Sequence, residues 1–157
     1  MDALRAVFVA AGYPDAVTHI QTGNVIFTPT DGEDITREKI ERQIHDDLGL
    51  SIVTMLRTGG ELAVTIAKNP FVAISADPTQ LYVAFLSAEP AGDDLAVFSA
   101  MQFGDDEFVV VGRDVFLRYS ERISQSKLTS AVIEKKLRRS ATVRNWAVAT
   151  KLAELSR

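Results

Sequence analysis

The sequence predicts an α+β fold, because segments with helical and strand-like patterns are interleaved along its 157 residues and two glycine-containing turns predict β-hairpins. Apolar residues make up 46% of the chain and charged residues 24%, which is typical of a globular protein. Its apolar runs are far shorter than the roughly 18 residues that cross a bilayer, so no transmembrane helix is expected. Cysteine is absent, which excludes disulfides and thiolate chemistry and makes a cytoplasmic location the default expectation.

The first segment is predicted to be an amphipathic helix over residues 1–12. Its apolar side chains recur at the spacing of one helix face, at Leu4, Val7, Phe8 and Ala11. Gly12 fits the position after a helix that favours glycine. Asp2 and Arg5 interrupt what would otherwise resemble a signal peptide, so we interpret the segment as part of the fold.

A β-hairpin is predicted next, followed by a helix and a strand. Strands over Ala16–Gln21 and Asn24–Thr28 flank a turn in which Gly23 can supply the positive φ of a tight hairpin. Thr36–Leu48 is predicted to be a helix because its apolar residues Ile40, Ile44 and Leu48 share one face. Ser51–Arg57 is predicted to be a strand.

The remaining elements begin with a capping box, Thr58-Gly59-Gly60-Glu61, which predicts the start of a helix that ends at Lys68. A linker over Ala76–Thr79 follows. The later predicted elements are a strand over Gln80–Ser87, a helix over Leu95–Met101, a hairpin of Glu107–Val111 with Asp114–Tyr119 around Gly112-Arg113, a helix from Ser126 to Arg139 and a last helix over Val143–Leu155, capped by Thr142.

The order of these elements predicts a more specific topology. Residues 1–57 run α-β-β-α-β and residues 80–139 run β-α-β-β-α, and both are fragments of the β-α-β-β-α-β order of a ferredoxin-like unit. We therefore expect two ferredoxin-like halves, over residues 1–75 and 76–157, with a helix at the C-terminus. The first half lacks its opening strand, which in this topology lies inside the sheet. We expect that the natural product begins upstream of Met1, or that another segment or a second chain fills the gap and forms an oligomer.

Several segments also resemble one protein family along essentially the whole chain. In order, they are Gln21-Thr22-Gly23-Asn24-Val25-Ile26-Phe27, Arg57-Thr58-Gly59-Gly60-Glu61-Leu62, Asn69-Pro70-Phe71, Ser126-Lys127-Leu128, Thr142-Val143-Arg144-Asn145-Trp146 and Lys151-Leu152. They are similar to segments of the domain of unknown function 1697 proteins. The resemblance implies an uncharacterised bacterial cytoplasmic protein of two ferredoxin-like halves. It also implies a strand and a glycine-rich loop ahead of Leu4, so an internal methionine mistaken for the start is the preferred explanation for their absence.

Two pairs of polar residues are candidate ligand-binding positions. Gln21 and Asn24 flank the first hairpin tip, where an amide either faces a ligand or stabilises the turn. Ser126 and Lys127 lie at a predicted helix start, which offers amide hydrogens and a partial positive charge to an anion. An ordinary serine cap beside a solvated lysine explains the second pair as well.

The strongest candidate is the segment from Thr142 to Trp146. If Thr142 caps the last helix, Arg144 and Asn145 lie in its first turn, where a guanidinium can bind a phosphate or carboxylate in bidentate fashion. The alternative is that Trp146 anchors this helix between the halves while Arg144 pairs with acidic residues of the same chain. We leave both open.

No residue is assigned a catalytic role, and no cofactor is identified. His45 lies among charged residues of a predicted helix and is interpreted as solvated, and His19 shares a strand face with Gln21. The acidic clusters lack metal-ligand spacing, and neither a phosphate-binding loop nor a nucleophile elbow is present.

The charge of the chain is uneven. Residues 122–157 carry nine basic and two acidic residues, so this region has a charge of +7 and the net charge of −4 leaves −11 for the rest. The basic region binds either nucleic acid or the acidic body of its own chain. Three functions therefore stay open: a small anionic ligand bound in the cleft between the halves, nucleic-acid binding, and a protein-interaction or regulatory role. We favour the first, and we expect no membrane partner.

Overall fold

The computed structural model describes residues 2–19, 23–74 and 77–156, in which six α-helices and two β-sheets form an α+β protein. The chain divides into two compact units, the first ending at Leu56 and the second running from Arg57 to Leu155. The order of the elements in the sequence predicts this boundary between residues 75 and 76. The difference arises because the helix that starts at Gly59 packs against the last helix of the second unit.

The first unit contains two helices and a two-stranded antiparallel hairpin. Its elements are α1 (Asp2–Ala10), β1 (Val17–His19), β2 (Asn24–Ile26) and α2 (Glu33–Leu48). Val17 pairs with Ile26 and His19 with Asn24, and Gly23 has a φ of +78°. The predicted hairpin is therefore confirmed, with shorter strands, and so are both helices.

Aromatic and branched side chains form the core of the first unit. Val7 and Phe8 of α1 pack against Ile40 and Ile44 of α2, as the helical spacing predicted. The ring of Phe27 lies 5.1 Å from that of Phe8, between ring centroids, and 4.8 Å from that of the buried Tyr13. The hairpin is thus attached to α1 and to the segment that follows it through Phe27, the residue that follows β2.

The strand predicted over Ser51–Arg57 is wrong. Residues 49–58 form neither helix nor strand, and within the described part of the chain no strand pairs with them. A strand requires a neighbour to receive its backbone hydrogen bonds. The Thr54 amide instead donates to the carboxylate of Glu41 over 2.8 Å, and the apolar Ile52 and Val53 remain about half exposed, at 46% and 49%.

The second unit contains four helices and a four-stranded sheet. Its elements are α3 (Gly59–Lys68), β3 (Leu81–Leu86), α4 (Gly92–Ser99), β4 (Glu107–Val111), β5 (Asp114–Arg118), α5 (Ser130–Leu137), β6 (Ala141–Asn145) and α6 (Trp146–Leu155). The strand order is β4-β5-β3-β6, and every neighbouring pair is antiparallel. The predicted hairpin of β4 and β5 is confirmed, and Gly112 at its turn has a φ of +60°.

The sheet of the second unit is covered on both faces. On one face, alternate strand residues such as Ala84, Leu86 and Leu117 pack against Phe98 of α4 and Ile133 of α5. The residues between them point to the opposite face, because side chains alternate along a strand. Val83, Phe85 and Phe116 are buried there, and α6 packs on β3 and also contacts α3.

The last predicted helix is wrong at its start. Residues 141–145 form β6, which pairs with β3 from Ala141 opposite Leu86 to Asn145 opposite Tyr82. The free edge of β3 decides this, since Thr142 and Val143 are β-branched and fit a pleated strand that has a partner. Helix α6 begins only at Trp146.

The helix predicted from Ser126 also begins later. A short 3-10 turn over Ile123–Gln125 precedes Ser126, and α5 starts at Ser130. The hydroxyl of Thr129 accepts a hydrogen bond from the Val132 amide over 3.2 Å and caps the helix. Ser126 lies four positions ahead of α5 and does not cap it; its hydroxyl donates to Asp106 and accepts from the Leu128 amide. In the described ranges no helix has the length and apolar composition needed to span a membrane.

Candidate functional site

Two of the predicted ligand-binding residues lie together on one face of the second sheet. Arg144 stands opposite Val83 and Thr142 opposite Phe85 in the β3–β6 ladder. Paired residues share a face, so both polar side chains lie on the face that carries the buried Val83 and Phe85. The arginine predicted for a helix N-terminus is therefore on a strand at the edge of the described sheet.

The guanidinium of Arg144 is held by its own strand. Its Nη1 donates to the Thr142 hydroxyl over 2.7 Å and to the Val143 carbonyl over 2.9 Å. The residue is about half-buried, and this burial lowers the pKa of Arg144 below its usual value. Because an arginine stays protonated in spite of such a shift, the strand presents a fixed positive charge of low solvation.

Asn145 and Trp146 form the junction between β6 and α6. The side-chain oxygen of Asn145 accepts a hydrogen bond from the Val148 amide over 2.8 Å, which is the geometry of a helix N-cap. Asn145 thus performs the capping role that the sequence analysis assigned to Thr142. Trp146, the first residue of α6, is half-buried.

Ser126 and Lys127 lie beside the opposite edge of the sheet from Arg144. The Ser126 hydroxyl donates to Asp106 over 2.6 Å and accepts from the Leu128 amide over 2.9 Å. Asp106 directly precedes the edge strand β4, whereas Arg144 belongs to β6, and β5 and β3 lie between them. Four neighbouring strands span about 14 Å, so these residues and Arg144 do not form one contact cluster. Lys127 is exposed.

Asn24 is buried in the first unit, where its amide nitrogen donates to the His19 carbonyl over 3.3 Å. The contact closes the β1–β2 hairpin and agrees with the turn-stabilising interpretation of this residue. Gln21 lies outside the described residues.

A charged cluster that the sequence analysis did not assign as a site lies in the second unit, around Arg57. Only 6% of its side chain is exposed, and its Nη2 donates to the carbonyls of Leu86 and Arg113 over 2.9 and 3.0 Å. The guanidinium lies 5.5 Å from the ring centroid of Phe85, and its Nη2 lies 3.6 Å from Asp114 Oδ1. Arg57 therefore joins the ends of β3 and β5 from the same sheet face that carries Arg144.

The carboxylate of Asp114 connects this cluster to α3. The Thr65 hydroxyl donates to Asp114 Oδ2 over 2.6 Å, whereas Oδ1 is buried without a hydrogen-bond partner. A buried carboxylate oxygen of this kind is costly to desolvate, and the nearby Arg57 charge compensates part of that cost.

Glu61 links the start of α3 to the turn of the β4–β5 hairpin. Its carboxylate accepts from the Thr58 amide over 2.8 Å, which completes the predicted capping box, and from Arg113 over 2.7 Å. Partial burial acts to raise the pKa of Glu61, but the hydrogen bonds from Thr58 and Arg113, with the guanidinium charge, hold it below its usual value.

These residues surround a cleft of about 590 Å³ between α3 and the β4–β5 hairpin. Its lining combines the apolar side chains of Val64, Val111 and Phe116 with three cationic and three anionic residues. The charged residues are Arg57, Lys68, Arg113, Glu61, Glu89 and Asp114. The volume is within the range of small-molecule sites.

A local signal for this cleft exists in the sequence. Arg57 directly follows an apolar segment, and Arg113-Asp114 directly follows the hairpin glycine, so each charge stands where an apolar run of the sequence ends. Sequence alone does not bring the two together, because they are far apart along the chain. In the described part of the protein no three potential metal ligands among His, Asp and Glu lie close enough to hold an ion.

Comparisons with known proteins support the fold but supply no activity. A family model described as "Protein of unknown function (DUF1697)" matches residues 1–116. Among solved structures, the chain is similar to the conserved bacterial protein SP0830 from Streptococcus pneumoniae, with 19% identity and a TM-score of 0.78 over 99% of this chain and 87% of that one. At this identity the similarity concerns the fold alone. No curated protein matches the chain.

Proposed function

We propose from the site itself that this member of the DUF1697 family of proteins of unknown function binds a small anionic ligand. The motifs of the chain predicted the family, and membership of it supplies no activity. In this proposal Arg144 receives the anionic group and Thr142 positions the guanidinium. Membership of the family is shown, and the class of ligand is what we propose.

The observation that carries the proposal is the half-buried guanidinium of Arg144 on the sheet face. One nitrogen is fixed by Thr142 and Val143, which restricts the rotation of the group and orients its planar fork. An oriented, poorly hydrated guanidinium binds phosphate or carboxylate more favourably than a solvated one, because less desolvation and side-chain entropy are lost on binding.

We also propose that the second unit is a ferredoxin-like unit. Its β-α-β-β-α-β order and its antiparallel strand order, with the first strand between the third and the fourth, support this assignment. The scaffold is compatible with many functions, so the ligand proposal depends on the arginine and not on the topology.

A thermal-shift experiment tests the ligand proposal. Inorganic phosphate, adenosine monophosphate and acetate are each added to the whole protein while the fluorescence of Trp146, the one tryptophan in the sequence, reports unfolding. A ligand at about 100 times its Kd stabilises the native state by about 2.7 kcal/mol, which corresponds to a rise in Tm of about 5–10 °C for a chain of this size.

Two arginine variants separate binding by Arg144 from general charge effects. Arg144→Lys keeps the charge but removes the planar fork, so we expect the ligand-induced rise in Tm to be largely lost. Arg122→Lys changes an exposed arginine of the same basic region and should respond as the original protein does. An equal rise in Tm for Arg144→Lys, or no response to any anion, would contradict the proposal.

A further inference from the structure

The cleft between α3 and the β4–β5 hairpin has walls that are held in place before any ligand arrives. Arg113 of the hairpin pairs with Glu61 of α3 over 2.7 Å, and Thr65 of α3 donates to Asp114 of the hairpin over 2.6 Å. Arg57 adds two hydrogen bonds to backbone carbonyls at the ends of β3 and β5. A site fixed by such contacts loses little entropy when it binds.

The charges that line the cleft fall into two classes. Arg57 lies beside Asp114 and Arg113 pairs with Glu61, so these four residues compensate one another within the protein. Lys68 and Glu89 are exposed in the cleft, and within the described ranges neither side chain forms an ion pair. One cation and one carboxylate are therefore available to a ligand.

The Glu89 carboxylate lies near the hairpin turn that contacts the start of α3, and Lys68 lies at the end of α3. A Cβ placed on Gly112 would lie 3.6 Å from Glu89 Oε1, so the Glu89 carboxylate lies at the hairpin turn, where Arg113 reaches Glu61. Lys68 is the last residue of α3 and stands seven positions after Glu61. With a rise of about 1.5 Å per residue, the helix separates those two positions by about 10 Å.

We propose that this cleft binds a short linear peptide of two or three residues, with its N-terminal ammonium at Glu89 and its C-terminal carboxylate at Lys68. Each peptide residue extends by about 3.3–3.6 Å, so two or three residues match this separation, whereas the charges of a single amino acid are too close together. Val64, of which 50% is exposed, and Val111 supply an apolar surface for a peptide side chain.

This site is separate from the proposed anion site on β6. Neither Thr142 nor Arg144 belongs to the described lining of the cleft, and the peptide proposal uses no residue of that strand. Either proposal can therefore fail while the other stands.

Calorimetric titration with defined peptides tests the proposal on the whole protein. The probe is the tripeptide L-alanyl-L-leucyl-L-alanine, and the controls are its N-acetylated form, its C-amidated form and free L-leucine. We expect the tripeptide to bind, and each blocked form and free leucine to bind about tenfold more weakly. Failure of the tripeptide to bind at about 10 mM, or equal binding of free leucine, overturns the proposal.

Two variants assign the charges. Glu89→Gln should weaken binding of the tripeptide about tenfold and leave binding of the N-acetylated form unchanged. Lys68→Gln should weaken binding of the tripeptide about tenfold and leave binding of the C-amidated form unchanged. Glu121→Gln and Lys136→Gln alter exposed residues that do not line the cleft and should bind as the original protein does. If both cleft variants bind the tripeptide as tightly as the original protein does, the assignment is overturned.

Discussion

Arg57 illustrates how much of the second unit depends on single charged side chains. It is almost fully buried, it donates to two backbone carbonyls, and it lies 3.6 Å from the mostly buried Asp114. The segment that leads to it has no strand partner among the described residues, so this contact attaches the beginning of the unit to β3 and β5. The charge is expensive to bury, and its partners make the burial tolerable.

Replacing Arg57 by methionine should therefore destabilise the second unit strongly. The variant leaves Asp114 as an uncompensated buried charge, for which the expected loss is about 3–5 kcal/mol in the free energy of unfolding. Urea unfolding followed by Trp146 fluorescence measures the loss, and the exposed Arg122→Met serves as the matched control with an expected change within about 0.5 kcal/mol. Adding Asp114→Asn to Arg57→Met should recover part of the loss, and a loss below about 1 kcal/mol would contradict this account.

Asp106 gives a prediction for the dependence of stability on pH. Its carboxylate accepts hydrogen bonds from the Ser120 amide, the Ser120 hydroxyl and the Ser126 hydroxyl, over 2.8, 3.0 and 2.6 Å. Burial acts to raise the pKa of Asp106, but these hydrogen bonds and the charge of Arg118 hold it below its usual value. A lowered folded-state pKa means that the unfolded chain takes up the proton first as the pH falls.

The stability that the Asp106 carboxylate supplies should thus be complete above the unfolded-state pKa of about 3.9 and should be lost as the pH falls through the lower folded-state value. Unfolding free energies of the original protein and of Asp106→Asn should differ by a constant amount between about pH 5 and 7 and converge below about pH 4. Asp105→Asn, at an exposed neighbour, is the control. A difference that persists unchanged to about pH 3 would show that hydrogen bonding of the ionised form is not the cause.

Among the elements, the junction of β6 and α6 depends on Asn145. This residue ends the strand opposite Tyr82 and caps the helix through the Val148 amide. Asn145→Ala removes the cap acceptor and should cost about 1 kcal/mol, which lowers Tm by about 2–4 °C. Asn145→Asp keeps the acceptor and should retain most of the stability. Equal losses for both variants would mean that the side-chain oxygen is not the cap.

Elements whose determining residues lie close together in the sequence were predictable from the sequence. The capping box from Thr58 to Glu61 and the glycine turns at Gly23 and Gly112 depend on residues that lie within a few positions of one another, and each formed as predicted. The segment from Thr142 to Asn145 has no such local signal. It fits a helix start as well as a strand, and the open edge of β3, some sixty positions earlier in the chain, selects the strand.

The same distinction applies to the candidate sites. The contact between Thr142 and Arg144 joins residues two positions apart, so the sequence could single out both, although with the wrong secondary structure. The cleft around Arg57 could not be predicted, because Asp114 and Thr65 reach it from a hairpin and a helix whose packing the sequence does not specify. Ser126 is a third case, since Asp106 and not a helix amide determines where its hydroxyl points.

For the molecule as a whole, the distribution of charge bears on the nucleic-acid alternative. The region from residue 122 to the end has a charge of +7, but part of it is used within the chain. Arg138 lies 3.7 Å from Asp94, Arg139 donates to the Glu89 carbonyl over 3.0 Å, and Lys151 lies 3.8 Å from Glu154. These partners agree with the interpretation that the basic region serves its own protein, and the chain as a whole has a net charge of −4.

We therefore expect weak and unspecific association with nucleic acid. Fluorescence anisotropy of labelled single- and double-stranded oligonucleotides, at low salt and at about 150 mM salt, measures it, and binding should be negligible at the higher concentration. A protein that neutralises several phosphates would instead lose affinity steeply as salt increases, by about a thousandfold or more over a fourfold rise in concentration. Tight binding with such a slope, together with a lower affinity of the Lys135→Gln and Lys136→Gln variants, would transfer the functional assignment from the Arg144 site to the basic region. The reason is that only clustered phosphate contacts release that many counterions.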